Sequence, residues 1–466
     1  MKRHFSNRLC QNLFGVKPHT ALHWPRTTPN ARTISPDDGV RNIPAGQVGG
    51  WLMGFGVIVA LLLTRRQSSP DSRLPQGCCR HCPFDSPSTG ETALTLFNEF
   101  KLGNTTLSNR VVMAPMTRSR APEDIATEQI ALHYTQRGTA GLIVSEGTPI
   151  SREGQGYLFN PGIYTPEQIK GWKLVTDSVH SVGGHMFAQL WHVGRVSHTS
   201  IQIDGQAPVS ATTKQAQGAV AFAYGEDGEP GFVPTSVPRP LTTEEVARVV
   251  EDFAQAAQNA IDAGFDGVEI HGANGYLLEQ FLNPLVNDRT DQYGASNLQD
   301  RLRFVFEVVD AACARIGADR VGIRISPYGQ LFDMPLYPEI DETYSALCAG
   351  MRERGIAYVH VMDQTHFFMA GESSAAQEQA LRKLLKHCKA ALGNTALILA
   401  GDMTRERADA LLEENLIDLA AFGQPFIGNP DLVARLKNGW PLTTPDRDTY
   451  YGGDAHGYID YAPYRA

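Results

Sequence analysis

Cysteine is scarce where most of this 466-residue chain lies: after residue 93, Cys313, Cys348 and Cys388 are the only thiols. Three scattered thiols exclude a disulfide-stapled scaffold and suit a reducing compartment. No Gly-x-Gly-x-x-Gly follows a candidate strand, since Gly54-x-Gly56 stops short within the first 93 residues, and there is no Walker A loop. Neither a Rossmann nor a P-loop enzyme is supported. Excess positive charge is also missing, the net charge being −9 at pH 7, which argues against a nucleic-acid partner. With 42% hydrophobic, 20% charged and 9% aromatic residues, the composition excludes collagen-like, coiled-coil and fully disordered chains.

The charge is unevenly placed. Residues 1–93 hold 11 Lys and Arg against 5 Asp and Glu, whereas the remainder holds 30 against 45. The first 93 residues also contain Cys10, Cys78, Cys79 and Cys82, and the apolar run Trp51–Leu63 within an uncharged stretch from Asn42 to Thr64. Three readings compete for this segment: a membrane anchor, although the apolar run is short of the roughly 20 residues a spanning helix needs; a basic, acid-poor transit-like leader; or a mispredicted start. Cys79-x-x-Cys82 invites a zinc reading, but a structural site needs four ligands and no second pair exists; cysteines in a disordered leader are the simpler account. The expected division is a basic extension, 1–93, outside the fold, and a catalytic domain, 94–466.

From Leu94 onward, short apolar runs alternate with amphipathic stretches. Strands are predicted at Val111–Ala114, Leu142–Ser145, Met186–Leu190, Gly267–Ile270, Val321–Ile325, Tyr358–Val361, Ala396–Leu399 and Leu419–Phe422. Helices are predicted near 127–137, 166–182, 242–263, 298–316, 340–354, 376–392, 404–415 and 430–437, the third opening on a capping signal, Leu241-Thr242-Thr243-Glu244-Glu245. The strand runs show no in/out alternation, which implies burial on both faces and parallel pairing. Eight such βα units predict an α/β fold, a (β/α)8 TIM barrel. Phe100–Leu107 reads as a short hairpin before it. Residues 191–241, rich in Gly, Gln, Ser and Pro, form a connection after the third strand long enough to be a lid.

Chemistry in such a barrel sits at the C-terminal ends of the strands. Here those ends carry Pro115-Met116-Thr117, Glu146-Gly147, Gln189 to His192, His271 to Tyr276, Arg324 to Ser326, Asp363, Gly401-Asp402 and Gly423-Gln424. An amidohydrolase needs a His-x-His pair on strand one, which instead reads VVMAPM, and a Schiff-base aldolase needs a strand-end lysine, which no strand offers. What remains is hydrogen-bonding groups, glycines on strands seven and eight, and one arginine, a set suited to a planar, phosphate-bearing cofactor. Thr117 alone could be a cap, and Gln189 a satisfied core amide. His271, Asn274 and Tyr276 in one turn after a buried strand are hard to explain as packing. No metal site is expected.

The stretches NRVVMAPMTRSRA (109–121), LIVSEGTPIS (142–151), FAQLWHVGR (187–195), HGANGYLLEQFLNPLVNDRTDQYG (271–294), VGIRISPYG (321–329), AFGQPFIGNPDLVARL (421–436) and YYGGDAHGYIDY (450–461) resemble, in order, the Old Yellow Enzyme family of ene-reductases. The likeness covers 94–466 and is strongest to its bacterial alkene and N-ethylmaleimide reductases. It implies non-covalent FMN, NADPH (or NADH) as hydride donor, and reduction of the C=C bond of α,β-unsaturated carbonyls or nitro compounds by hydride from flavin N5 and a proton from Tyr276. It implies cofactor contacts from Ala114, Pro115, Met116, Thr117, Gly147, Gln189 and Arg324, and phosphate contacts from Gly401, Gly423 and Gln424. His271 and Asn274 would hold the substrate oxygen, with Trp191, Tyr328 and Tyr451 lining the cavity.

Three departures stand out. Gln424 replaces the usual arginine of Gly-Arg-Pro-Phe, Asp402 sets an acid beside Gly401, and Ala295 stands where Tyr-Gly-Gly-Ser has its second glycine. The first two bear on phosphate affinity; Asp402 could instead cap the helix beginning near Thr404. A dienoyl-CoA reductase would need clustered cysteines for an iron–sulfur centre, which Cys313, Cys348 and Cys388 are too dispersed to supply. The alternative is a non-catalytic or membrane-tethered flavin-binding protein. The expected partner is a small enone or nitro compound, with membrane contact only through 51–63, and a monomer or homodimer. The expected place is the cytoplasm for the catalytic core, or a membrane or organelle if the extension directs it there.

Overall fold

The computed structural model describes residues 95–465, without the side chains of 367 and 368. The readings placed on residues 1–93 lie outside the described residues. The described chain opens on two antiparallel strands, β1 (Phe100–Leu102) and β2 (Thr105–Leu107). At their turn Gly103 has φ 54°, and a β-carbon there would stand 2.4 Å from the Asp319 carbonyl oxygen. Three parallel strands follow, β3 (Val111–Met113), β4 (Leu142–Pro149) and β5 (Met186–Trp191). The long connection after β5 carries β6 (Val209–Ser210), β7 (Val220–Tyr224), β8 (Pro230–Pro234) and β9 (Arg239–Pro240), which pair as β6 with β9 and β7 with β8. Then come β10 (Gly267–Gly272), β11 (Val321–Ile325), β12 (Tyr358–Met362), β13 (Ala396–Ala400) and β14 (Leu419–Phe422). Strands β3–β5 and β10–β14 close into one barrel in chain order, with β14 pairing back onto β3.

The helices are α1 (Glu128–Thr135), α2 (Pro166–Ser181), α3 (Thr243–Asp262), α4 (Leu277–Leu282), α5 (Leu298–Ile316), α6 (Ile340–Arg354), α7 (Thr365–Phe368), α8 (Ser374–Leu392), α9 (Arg405–Glu413), α10 (Gln424–Gly428) and α11 (Leu432–Asn438). All eight predicted strands and eight predicted helices are present, most with ends shifted by one to four residues. The capping signal at Thr242 is a complete capping box with Glu245. At α9 the cap is Thr404, whose side chain accepts the Arg407 N–H, and not Asp402. The short α4, α7 and α10 and the small pairs of β6–β9 were not predicted; each is too short to show a period.

The barrel strands are buried on both faces, which explains why their sequences do not alternate. One apolar layer, with Val246, Phe253, Phe304, Val308 and Leu411, fills the space between strands and helices. A smaller one, with Val112, Val144, Phe187, Ile398 and Leu419, fills the barrel interior. Among the described residues no helix is long and apolar enough to cross a membrane.

Candidate active site

Strand register assembles a polar layer within the barrel. Gln189 lies beside Glu269, Glu269 beside Gly322, and Gly322 beside Tyr358. One step further along, His271 lies beside Arg324, and Arg324 beside His360. Gly322 is needed here because the Tyr358 ring crosses it: a β-carbon would stand 2.4 Å from Cζ. Glu269, fully buried, accepts hydrogen bonds from Gln189 Nε2 (2.8 Å), Tyr358 Oη (3.1 Å) and His360 Nδ1 (2.8 Å). Burial would raise the Glu269 pKa, but His360, Arg324 and Gln189 outweigh it and hold the carboxyl below its usual value. Burial lowers the pKa of His360, so it donates as a neutral ring. Arg324, 6% exposed, gives one N–H to the Met362 sulfur at 3.2 Å, while its Nε has no partner. A buried guanidinium with an idle donor at the end of a barrel strand is poised for an anion or an electron-rich heteroatom.

The turn after β10 carries the three residues expected to act on substrate. His271 Nδ1 accepts the Ala273 N–H at 3.3 Å, which leaves Nε2 as the protonated nitrogen. Desolvation, with Arg324 and His360 adding to it, drives the His271 pKa well below its usual value and keeps the ring neutral. Asn274 (φ 58°) and Gly275 (φ 76°) are both left-handed. Gly275 is further required because a β-carbon would stand 2.5 Å from the Leu331 carbonyl oxygen. Asn274 Oδ1 accepts from Gln364 Nε2 at 3.2 Å, leaving its own amide N–H groups to donate elsewhere. Tyr276 sits edge-on to Trp191 (5.0 Å between ring centres) and to His271 (5.0 Å), with Phe332 at 5.3 Å. Its hydroxyl donates to that of Tyr157 at 3.4 Å, and burial pushes its pKa above the usual tyrosine value.

Most of the other expected residues lie at the C-terminal ends of other barrel strands. Trp191 stacks on Tyr157 at 5.5 Å and presses on Gly147, where a β-carbon would stand 2.5 Å from its ring. Ala114, Pro115, Met116 and Thr117 follow β3, with Ala114 bonded to the Phe422 carbonyl at 3.0 Å. The Met116 sulfur lies 3.6 Å from where a Gly423 β-carbon would be. Gly401 has φ 124° at the end of β13, and its carbonyl accepts from Arg407 at 2.6 Å. Arg407 is also paired with Asp363 (2.8 Å) and Glu378 (2.9 Å). Gln424 begins α10 and is exposed. Tyr328 (φ 63°) donates to Asp341 in the first turn of α6. Tyr451 lies within electrostatic reach of Tyr276, and burial raises its pKa to about 12.

Tyr451 is held there by an arginine clamp that sequence reasoning missed. Arg118 donates to the carbonyls of Thr449, Tyr450 and Gly457, and Arg120 to those of Thr449, Asp454 and His456. Beside Arg118, burial lifts the Glu146 carboxyl to about 7. Glu269, Glu279, His360 and Tyr157 were missed too. The only signal for them was an ionisable or hydroxylated residue inside or next to a buried run.

Residues 95–443 match the NADH:flavin oxidoreductase / NADH oxidase family. The chain belongs to that family. Among the curated relatives of this flavin oxidoreductase, 12-oxophytodienoate reductase 1 of Oryza sativa subsp. japonica is 42% identical over 376 residues, covering 79% of this chain and 93% of that protein. The 12-oxophytodienoate reductase 2 of Arabidopsis thaliana is 41% identical over 372 residues, covering 79% and 96%. Among solved structures, morphinone reductase in complex with tetrahydroNAD is 43% identical, with a TM-score of 0.75 over 80% of this chain and 98% of that one. The old yellow enzyme homologue of Zymomonas mobilis is 34% identical, with a TM-score of 0.71 over 79% and 99%. This flavin oxidoreductase is therefore an Old Yellow Enzyme relative of the ene-reductase kind, with FMN as cofactor and a reduced nicotinamide nucleotide as reductant.

Proposed function

We propose that this flavin oxidoreductase reduces the C=C bond of α,β-unsaturated carbonyl or nitro compounds, with the strand-end residues described above in distinct roles. FMN, when bound, supplies the hydride. The residues present fit it: Arg324 brings a buried cation with an idle Nε, and Gln189, its Nε2 committed to Glu269, offers Oε1 as an acceptor. Ala114, Pro115, Met116 and Thr117 follow β3 at the same end of the barrel, and Gly147 gives up a side chain to let Trp191 lie flat. Gly401, Gly423 and Gln424 take the phosphate end.

His271, neutral and protonated on Nε2, and Asn274, through its amide, donate to the substrate oxygen and stabilise the charge that develops there. Tyr276, its pKa raised by burial, stays protonated across the working range and gives its proton to the α-carbon. Trp191, Tyr328 and Tyr451 line the cavity, with the 192–241 connection as its cover. The observation that carries this reading is the convergence of His271, Asn274 and Tyr276 on one turn beside Arg324. The test is oxidation of NADPH, and of NADH, by the purified yellow protein with and without 2-cyclohexenone. Nucleotide oxidation that is indifferent to the enone, with no saturated product, would overturn it.

Residues 94–466 act as the catalytic unit, in the cytoplasm, as a monomer or homodimer, and any membrane contact comes through 51–63. The 94–466 fragment is expected to be yellow and folded alone. A colourless aggregate beside a yellow full-length protein would make residues 1–93 part of the fold.

A further inference from the structure

The chemistry above leaves the buried carboxylate of Glu279 unused. Glu279, in the first turn of α4 and 4% exposed, accepts the Gly275 N–H at 2.5 Å, the Ser326 hydroxyl at 3.0 Å and the Tyr344 hydroxyl at 3.0 Å. The same Ser326 oxygen accepts the Asn274 N–H at 2.7 Å. The backbone amides of the two consecutive left-handed residues, Asn274 and Gly275, thus end on Glu279, one directly and one through Ser326. On the other side of the turn, Gln280 Nε2 donates to the Gly275 carbonyl at 2.8 Å. Asn is among the non-glycine residues that take up the left-handed region most readily, and the hydrogen bonds around this turn select that conformation for Asn274.

We propose that Glu279 is a positioning residue for the oxygen-binding pair: its ionised carboxylate locks the Asn274–Gly275 backbone, and protonating it loosens that lock and weakens binding of the substrate oxygen. The inference rests on the reading of His271 and Asn274 as donors to that oxygen. Three donors point at the carboxylate, one N–H and two O–H groups, so the ionised form satisfies all of them. Protonation adds a fourth hydrogen among the three, and one has to turn away. Burial pushes the carboxyl up to about 7, the hydrogen bonds from Gly275, Ser326 and Tyr344 pulling the other way. The titratable and charged groups around it are Tyr344 on α6, Tyr337 ahead of α6, and Arg301 on α5 behind the Tyr337 ring at 5.6 Å. Tyr328 shares a small cavity with it. Burial raises the pKa of each of these tyrosines, so the carboxylate is the group in this shell that changes charge near neutrality.

The test titrates 2-cyclohexenone, which has no titrating group, into the oxidised FMN-loaded full-length protein without nucleotide, following flavin absorbance from pH 5.5 to 8.5. The wild-type Kd is expected to rise roughly three- to tenfold as pH falls through about 7, the worth of about one hydrogen bond. Glu279→Gln, which keeps the shape but sets an N–H among the donors, is expected to bind weakly at every pH with no step. Ser326→Ala, which cuts only the link to Asn274, is expected to bind more weakly and keep the step. FMN affinity should be the same in all three, which shows that the fold survives. A flat wild-type curve, or a step that persists in Glu279→Gln and so belongs to another group such as Glu146, overturns the proposal. Unchanged enone binding in His271→Ala and Asn274→Ala would instead overturn the reading of the oxygen site on which it rests.

Discussion

Gln189 gives its amide N–H to Glu269 across 2.8 Å of fully buried space, and this decides which end of the amide faces away from the strand pair. Glu269→Gln should therefore loosen FMN as well as the fold. The replacement offers Gln189, Tyr358 and His360 one carbonyl in place of a carboxylate, leaving at least one buried donor short. A loss of about 1–3 kcal/mol in stability is expected, with a clear rise in the FMN dissociation constant. Thermal unfolding of the apoprotein and FMN fluorescence titration measure the two separately. A variant as stable as wild type and equally avid for FMN would show that Glu269 does not orient Gln189.

Tyr276→Phe should separate the two half-reactions. The hydroxyl is asked for a proton only when the alkene is reduced, and general acids contribute about 10²–10⁴-fold. Stopped-flow traces should show bleaching of the flavin by NADPH at nearly the wild-type rate and reoxidation by enone slowed by that factor. Equal slowing of both phases would mean that the ring, wedged between Trp191 and Phe332, serves packing alone.

Gln424→Arg should tighten FMN. A neutral amide at the start of α10 gives the phosphate no charge, and Arg407, the guanidinium bonded to the Gly401 carbonyl, is already committed to Asp363 and Glu378. A new guanidinium adds a bidentate, charge-assisted contact. The gain should be largest at low salt and shrink as ionic strength rises. An FMN dissociation constant that does not fall at low salt would place residue 424 away from the phosphate.

Acid stability should depend on Glu153. Burial alone would raise its pKa, but the His192 ring at 3.8 Å and the Arg248 guanidinium at 2.6 Å outweigh it and hold the carboxyl at about 2. A depressed acid stabilises the fold fully above its unfolded value, 4.5, and loses that contribution as pH falls toward 2. Arg248 is well exposed, so the contribution is partly screened. Glu153→Gln should lower the melting temperature at pH 7 and lessen its decline between about pH 4.5 and 2. Parallel wild-type and variant curves over that window would discount the pair.

The barrel was legible because β-branched apolar runs of strand length recur between helical stretches, and because two-sided burial suppresses alternation. The turn carrying His271, Asn274 and Tyr276 was legible because three chemically distinct side chains crowd one strand end. The groups that hold those residues were not. Glu269 sits in Val268-Glu269-Ile270, and nothing local tells that Tyr358 and His360, two strands away, converge on it. Glu279 sits in a helix of six residues, where an acid is ordinarily a solvated cap. Arg118 and Arg120 look like surface charge until residues far along the chain bring their carbonyls. Asp402 was a plausible cap two residues early, but Thr404 has the extended backbone a cap needs, whereas Asp402 has φ 37°.

The arginine clamp has a consequence for synthesis. Arg118 and Arg120 leave the ribosome early and wait for carbonyls more than three hundred residues downstream. Until residues 449–457 emerge, two buried-to-be guanidiniums lack most of their acceptors and Tyr451 is not yet within electrostatic reach of Tyr276. A chain that has built most of the barrel but not residues 449–457 therefore still lacks the segment that brings Tyr451 to the catalytic turn.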